Sequence, residues 1–223
     1  MFDTKNVLIY ICLYNIICNV ILYFITGGFP KMARKPNFTR EEILNCAYDI
    51  LLEDSLKEVT ARNVAKRLKA STISIYSTFS SMGDLKNELA KKAKNKLFEY
   101  TKTNYTDLEL LNIGMGVCLF AKEEKALFRT IFLRETMPKE FIDEVLEDFK
   151  TLIYNSFKGT NLSQDFSDEI IHWIMKKGWL YTQGFATLIC TGFYDNPTYD
   201  EIKNELVEMG TIIINQALQN GGN

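Results

Sequence analysis

Residues 60–79 of this chain read TARNVAKRLKASTISIYSTF, and the order of apolar, basic and hydroxyl side chains within them decides the fold. Thr60 is a helix-capping residue, and Val64, Ala65 and Leu68 follow it at helical spacing. Lys69-Ala70-Ser71 interrupts that pattern, Ser71 or Thr72 supplies a second cap, and Ile75 and Phe79 then stand four apart. The spacing predicts two short helices joined by a tight turn, with these apolar residues inward. Arg62, Lys66 and Arg67 are left outside on the first helix. Thr72, Ser74, Tyr76, Ser77 and Thr78 are left outside on the second. Short hydroxyls and a tyrosine are poor core material, yet they hydrogen-bond well to phosphates and base edges.

The flanks extend the pattern. Upstream, Thr39-Arg40-Glu41-Glu42 is a capping box that opens a helix burying Ile43, Ala47, Ile50 and Leu51, closed by Asp54 and Ser55. Downstream, Ser81-x-x-Asp84 opens a long fourth helix to about Lys102, with Leu85, Leu89, Ala93 and Leu97 on one face. Its Lys91, Lys92, Lys94 and Lys96 read as a solvated face, and Lys86 as a contact residue.

Charge follows the same division. Residues 32–97 carry 13 Lys and Arg against 8 Asp and Glu, a net of +5. Residues 98–223 carry 11 against 19, a net of −8, so the whole chain at −2 hides a basic section joined to an acidic one. A polyanion partner is implied for the first section only.

From Phe38 to Leu89 the residues resemble the DNA-binding domain of the tetracycline-repressor (TetR) family of transcriptional regulators. The likeness rests on Ile43-x-x-Cys46-Ala47, Thr60-x-x-x-Val64-Ala65, Leu68-Lys69-Ala70-Ser71, Ile75-Tyr76-x-x-Phe79 and Asp84-Leu85, in order and at matching spacing. Four positions depart from the family pattern. Lys69 stands where glycine is usual, Ile73 where glycine or alanine is usual, Thr78 where histidine is frequent and Met82 where lysine is frequent. Without the turn glycine Lys69 takes an awkward backbone conformation, at a cost of roughly 1 kcal/mol if φ is positive. Ile73 is expected either to meet a thymine methyl or to alter the docking, and the phosphate contact that Met82 lacks is either missing or supplied by Lys86.

Beyond residue 102 the chain repeats a cap, an apolar-periodic run and a stop. Thr106-x-x-Glu109 opens a run to about Ala121, Glu123 to Arg134 forms another, and Pro138 suits the first turn of a helix ending near Gly159. Asp168 to about Cys190 is the most apolar run, and Thr198-x-x-Glu201 caps the last helix. With 47% hydrophobic residues and no strand pattern outweighing a helical one, the fold class is all-α. A three-helix helix-turn-helix domain (32–84) is followed by a helical bundle domain (85–223).

Catalytic readings are poorly supported. Glu169-x-x-His172 matches one element of a di-iron bundle, which needs two histidines, and His172 is the only one present. The five cysteines are scattered, without a C-x-x-C pair, and no metal or cofactor is expected. Phe98, Phe120, Phe128, Phe132, Trp173 and Tyr181 are each ordinary core material. As a set they could line an apolar cavity, with His172, Tyr181 and Gln183 orienting a ligand.

The first 31 residues form a separate segment. Residues 7–25, VLIYICLYNIICNVILYFI, hold no charge and as a helix would span roughly 28 Å. One reading is a membrane anchor with Lys31, Arg34 and Lys35 on the cytoplasmic side. A secretory signal fits less well, because no small-x-small cleavage pattern follows. The preferred expectation is an unrelated leader ahead of a soluble, cytoplasmic domain that starts at Met32.

The resemblance implies a homodimeric, ligand-responsive repressor on a palindromic double-stranded operator. Thr60, Arg62, Tyr76 and Lys86 are the candidates for phosphate contact. Thr72, Ile73 and Ser77 are the candidates for base readout, with Ser71, Ser74 and Thr78 beside them and Arg34 and Lys35 as a basic arm. The last two long helices resemble the pair through which the family dimerises, which makes Gly178, Phe185, Leu188, Leu206, Met209 and Ile213 candidate interface residues. The implied effector is a small apolar or amphipathic molecule. The competing reading is a helical sensor of the same fold that docks a protein partner instead of DNA, at a membrane if residues 7–25 belong to it.

Overall fold

The computed structural model describes residues 38–133 and 139–221. The apolar stretch 7–25, Arg34, Lys35 and Pro138 lie outside them. Every regular element among the described residues is helical.

Helix α1, Arg40–Glu53, opens on the capping box read from the sequence. The Glu42 amide donates to Thr39 Oγ1 at 3.1 Å, and the Thr39 amide donates to Glu42 Oε2 at 2.7 Å. Its buried face is Ile43, Cys46, Ala47, Ile50 and Leu51. Helix α2, Ala61–Arg67, is capped by Thr60, and helix α3, Thr72–Tyr76, by Ser71. Ile75 and Phe79 are fully buried and tie α3 to its neighbours. The turn between them is a Schellman motif: the Ala70 amide donates to the Ala65 carbonyl (2.8 Å) and the Lys69 amide to that of Lys66 (3.2 Å). The motif needs a left-handed residue, and Lys69 takes that conformation at φ 52°.

Helix α4, Met82–Thr101, is capped by Ser81 and buries Leu85, Leu89, Ala90, Ala93, Leu97 and Thr101. Its first half packs on α1. Farther along it meets α5, Glu109–Glu123, and α6, Lys125–Phe132. Helix α7, Lys139–Lys158, a 3-10 turn at Asn161–Asp165, helix α8, Asp168–Thr191, and helix α9, Tyr199–Gly221, complete the body. Helix α5 is central, contacting α4, α6, α7, α8 and α9. That position explains why Met115 to Ala121 are all buried and why the helix carries almost no polar face.

Two buried clusters result. The larger runs without interruption from Ile43 in α1 to Leu206 in α9. The smaller gathers Phe157, Ile171, Ile174, Met175, Ile213 and Ala217 from α7, α8 and α9, with Phe166 from the link before α8.

Two boundaries differ from the sequence reading. Thr106 does not cap α5. Leu108 is the N-cap, and the Thr106 hydroxyl instead accepts from the Leu108 amide at 3.1 Å. Buried Asn112 is the reason, because its amide needs both partners and takes them from Thr106: Nδ2 donates to the Thr106 carbonyl (2.9 Å), and Oδ1 accepts from the Thr106 amide (2.7 Å). Glu123 ends α5 and does not begin the next helix, since Glu124 leaves helical geometry between them at φ −114° and ψ 49°.

Candidate nucleic-acid interface and body cavity

Helix α3 presents Ile73, Tyr76 and Ser77 on one outward face, at the three- and four-residue spacing that aligns side chains on a helix. Ile73 is 78% exposed and Tyr76 53%. Most of the hydroxyls here are already engaged locally. Ser71 Oγ accepts from the Ser74 amide (3.3 Å) and lies 3.1 Å from Ser74 Oγ. Ser77 Oγ donates to the Ser74 carbonyl at 2.8 Å, and Thr78 Oγ1 to the same carbonyl at 3.4 Å. Thr72 and the Tyr76 hydroxyl make no hydrogen bond among the described residues.

Arg40 holds the end of α3 in place. Its guanidinium lies 4.0 Å from the Phe79 ring centroid and donates to the Thr78 carbonyl (2.9 Å) and to Glu88 Oε1 (2.6 Å). Arg67 is likewise consumed, forming a two-pronged pair with Glu53 in which Nη1 to Oε2 is 2.6 Å. The hydrogen bond from Arg67 holds the Glu53 carboxyl below its usual range. Lys94 is half-buried against Glu144 and Asp148 of α7, at 2.6 and 2.5 Å. By contrast Arg62, Lys66, Lys69 and Lys86 enter no ion pair among the described residues, so their charge is open to a polyanion. Thr60 Oγ1 caps α2, accepting from the Asn63 amide at 3.2 Å, and its hydroxyl proton is left to donate.

A cavity of about 460 Å³ lies between α5, α7, α8 and α9. Ile113, Val117 and Leu206 of the larger cluster line one part, and Phe157, Ile174, Met175 and Ile213 of the smaller cluster another. Thr160, Tyr181, Thr182, Thr211 and Asn215 are its polar lining, and Glu109 is the charged residue on its wall. Tyr181 donates to Glu205 Oε2 at 2.9 Å, and burial together with that carboxylate pushes the phenol up to about 12.

Of the eight residues proposed from sequence for such a cavity, Tyr181 lines it. Phe120 and Phe128 are fully buried in the larger cluster. Phe98 packs on Phe149 with centroids 4.9 Å apart, and Phe132 on Phe128 and Trp179. His172 is exposed, its Nδ1 2.6 Å from the Asp168 carbonyl. Trp173 lies under Lys177, and Gln183 is part-buried with Oε1 unpartnered among the described residues. The reason is helical phase: α8 faces the cavity with Ile174, Gly178 and Tyr181, and His172, Trp173 and Gln183 lie off that stripe. Gly114, Gly178 and Gly210 each line the cavity; the sequence assigns Gly178 to the interface and gives the other two no role. A glycine in each of three long apolar helices was the available signal.

The proposed interface residues also divide. Leu188 is 44% exposed. Phe185, Leu206 and Ile213 are buried within the chain, where inward packing uses their apolar surface, and Gly178 and Met209 line the cavity. The outward apolar residues are Leu180 and Leu188 on α8, with exposed Gly184 midway between them, and Val207, Ile212 and Leu218 on α9.

These features define an all-α protein with a helix-turn-helix head on a helical body. No family model matches the chain, and no curated protein matches it. Solved structures do resemble it. A transcriptional regulator from Rhodococcus sp. Rha1 superposes with a TM-score of 0.60 at 14% identity, covering 82% of this chain and 97% of that one. A protein assigned to the TetR family of transcriptional regulators, from Vibrio parahaemolyticus, superposes with a TM-score of 0.56 at 14% identity, covering 77% and 96%. The chain therefore has the TetR-like all-α fold. No helix among the described residues is long and apolar enough to cross a membrane.

Proposed function

We propose that the chain is a DNA-binding transcriptional repressor, acting as a homodimer and released by a small apolar or amphipathic effector. The observation that carries this reading is the outward face of α3, exposed above the buried Ile75 and Phe79, in a head whose Arg62, Lys66, Lys69 and Lys86 are unpaired among the described residues. Phosphate contacts from Thr60, Arg62, Tyr76 and Lys86 position the head, and Thr72, Ile73 and Ser77 face the major groove. Two copies paired through the outward apolar residues of α8 and α9 would set two α3 helices about one duplex turn apart on a palindromic operator.

The effector site is the cavity between α5, α7, α8 and α9. Helix α5 supplies part of its wall through Ile113, Gly114 and Val117 and presses on the end of α4 through Gly116. A ligand that shifts α5 thus shifts the helix on which the head is mounted, with a coupling of ~1–3 kcal/mol.

Selection of bound duplexes from a random DNA pool, followed by anisotropy titration of the full chain at several salt concentrations, tests the reading. Affinity should fall steeply as salt rises. Absence of salt-sensitive binding to any recovered duplex overturns it.

A further inference from the structure

We propose that α3 reads its operator chiefly through the methyl group of thymine, with Ile73 as the reading residue; this rests on the DNA-binding reading above. Base readout by hydrogen bonds normally uses Arg or Lys on guanine, Asn or Gln on adenine, and Asp or Glu on cytosine. From Ala70 to Ser81 the chain contains none of these six residue types. Helix α3 therefore cannot form a bidentate side-chain pair with any base.

The hydroxyls that remain are largely spent. The protons of Ser77 and Thr78 go to the Ser74 carbonyl, and the Ser71 oxygen accepts from the Ser74 amide. Thr72 and Tyr76 make no side-chain hydrogen bond among the described residues. Between them stands Ile73, 78% exposed. An isolated exposed isoleucine is ordinary on a protein surface. This one occupies the outward face of a capped helix whose polar groups are mostly used, and its β-branch restricts χ1 so that its methyls are held out at small entropic cost. The apolar feature that the major groove offers is the thymine C5-methyl. Ile73 and that methyl each lose water-exposed apolar surface on contact, and a cytosine at the same place offers no methyl to cover. The cationic anchors Arg62, Lys66 and Lys69 come from α2 and the turn, and on α3 only Tyr76 is given to phosphate, so Ile73 keeps its place toward the bases.

The test uses a duplex recovered from the random pool and the full chain. Each thymine is replaced in turn by uracil, which keeps base pairing and removes the methyl alone. At one symmetric position per half-site the swap should weaken wild-type binding by about four-fold, the worth of one methyl taken out of water. Ile73→Ala, at an exposed position where folding is not at stake, should bind the thymine duplex more weakly and no longer distinguish uracil there. Ile73→Val should retain the distinction. If salt-sensitive binding ignores the uracil swap at every position, or if Ile73→Ala keeps the full distinction, the inference is overturned and DNA binding still stands. If no duplex binds with salt sensitivity, both fall.

Discussion

Gly116 of α5 lies so close to the end of α4 that a Cβ on it would sit 2.5 Å from the Tyr100 carbonyl oxygen and 2.6 Å from Thr101 Cα. Both opposing atoms are backbone, so nothing there can swing aside. Gly116→Ala must push the two helices apart. We expect a loss of about 1–3 kcal/mol, typical of overpacking, seen as a lower midpoint in thermal unfolding. Gly178→Ala is the control, since a Cβ there meets nothing within 4 Å. It should stabilise by up to ~1 kcal/mol through helix propensity. An unchanged midpoint for Gly116→Ala would dismiss the close approach as a constraint.

Lys69 combines an unfavourable backbone conformation with a charge unpaired among the described residues, and substitution separates the two. Lys69→Gly should raise stability by about 1 kcal/mol, because glycine takes φ 52° without the Cβ penalty. The same change should weaken DNA binding alike on all sequences and flatten its salt dependence by about one phosphate contact. Lys69→Ala should show the binding loss without the stability gain. Urea titration and anisotropy on the two variants read these effects separately.

Arg40 contributes less to stability than to the seating of α3. Its ion pairs with Asp84 and Glu88 are partly solvated and so contribute little, while its guanidinium stacks on the Phe79 ring. Arg40→Ala also leaves the Thr78 carbonyl without this donor. A modest drop in melting temperature with a larger proportional loss of operator affinity is expected. Equal losses in both would argue against a positioning role.

Acid should destabilise the fold through its caps. Glu42 and Glu201 both sit below their ordinary value of 4.5 because the Thr39 and Thr198 backbone amides donate to them. A depressed folded value means that the stabilisation is present above about pH 4.5 and is lost as pH falls through the lower folded value. Urea midpoints should therefore hold from pH 7 to 5 and decline below 4.5. Glu42→Gln keeps a cap-capable amide but cannot titrate, and should shallow that decline. A decline identical to wild type would remove Glu42 from the account.

On the recognition face, Tyr76→Ala should weaken binding to a similar degree on every duplex, whereas Thr72→Ala should relax sequence preference. Competition with mismatched duplexes distinguishes the two. The reverse pattern would exchange their roles.

The head was readable because its determinants are local. Caps at Thr39, Thr60, Ser71 and Ser81, apolar spacing and a non-glycine turn each act within a few residues of chain. That Lys69 stands where a turn glycine is usual was visible, and the structure supplies its φ of 52°. The body was less readable because helical phase decides it. Trp173 and Ile174 are adjacent in sequence, yet Ile174 lines the cavity and Trp173 does not. Thr106 fits a cap motif, but Asn112 claimed its backbone, a pairing that depends on how deeply Asn112 is buried. The engagement of Ser77 and Thr78 by their own helix was also hidden, since composition shows a hydroxyl but not where its proton goes.

The two buried clusters should give the described residues more than one unit of cooperativity. The larger joins the head to the core of the body, and the smaller holds the far ends of α7, α8 and α9 with far fewer side chains. The cavity lies on the seam between them. Local opening there exposes little apolar surface and should have a lower free energy than global unfolding, so amides around Ile171 to Met175 should exchange faster than those around Val117. A molecule filling the seam would weld the two clusters together and slow that exchange. Protection would then report occupancy at a distance from the recognition helix, in protein free of DNA.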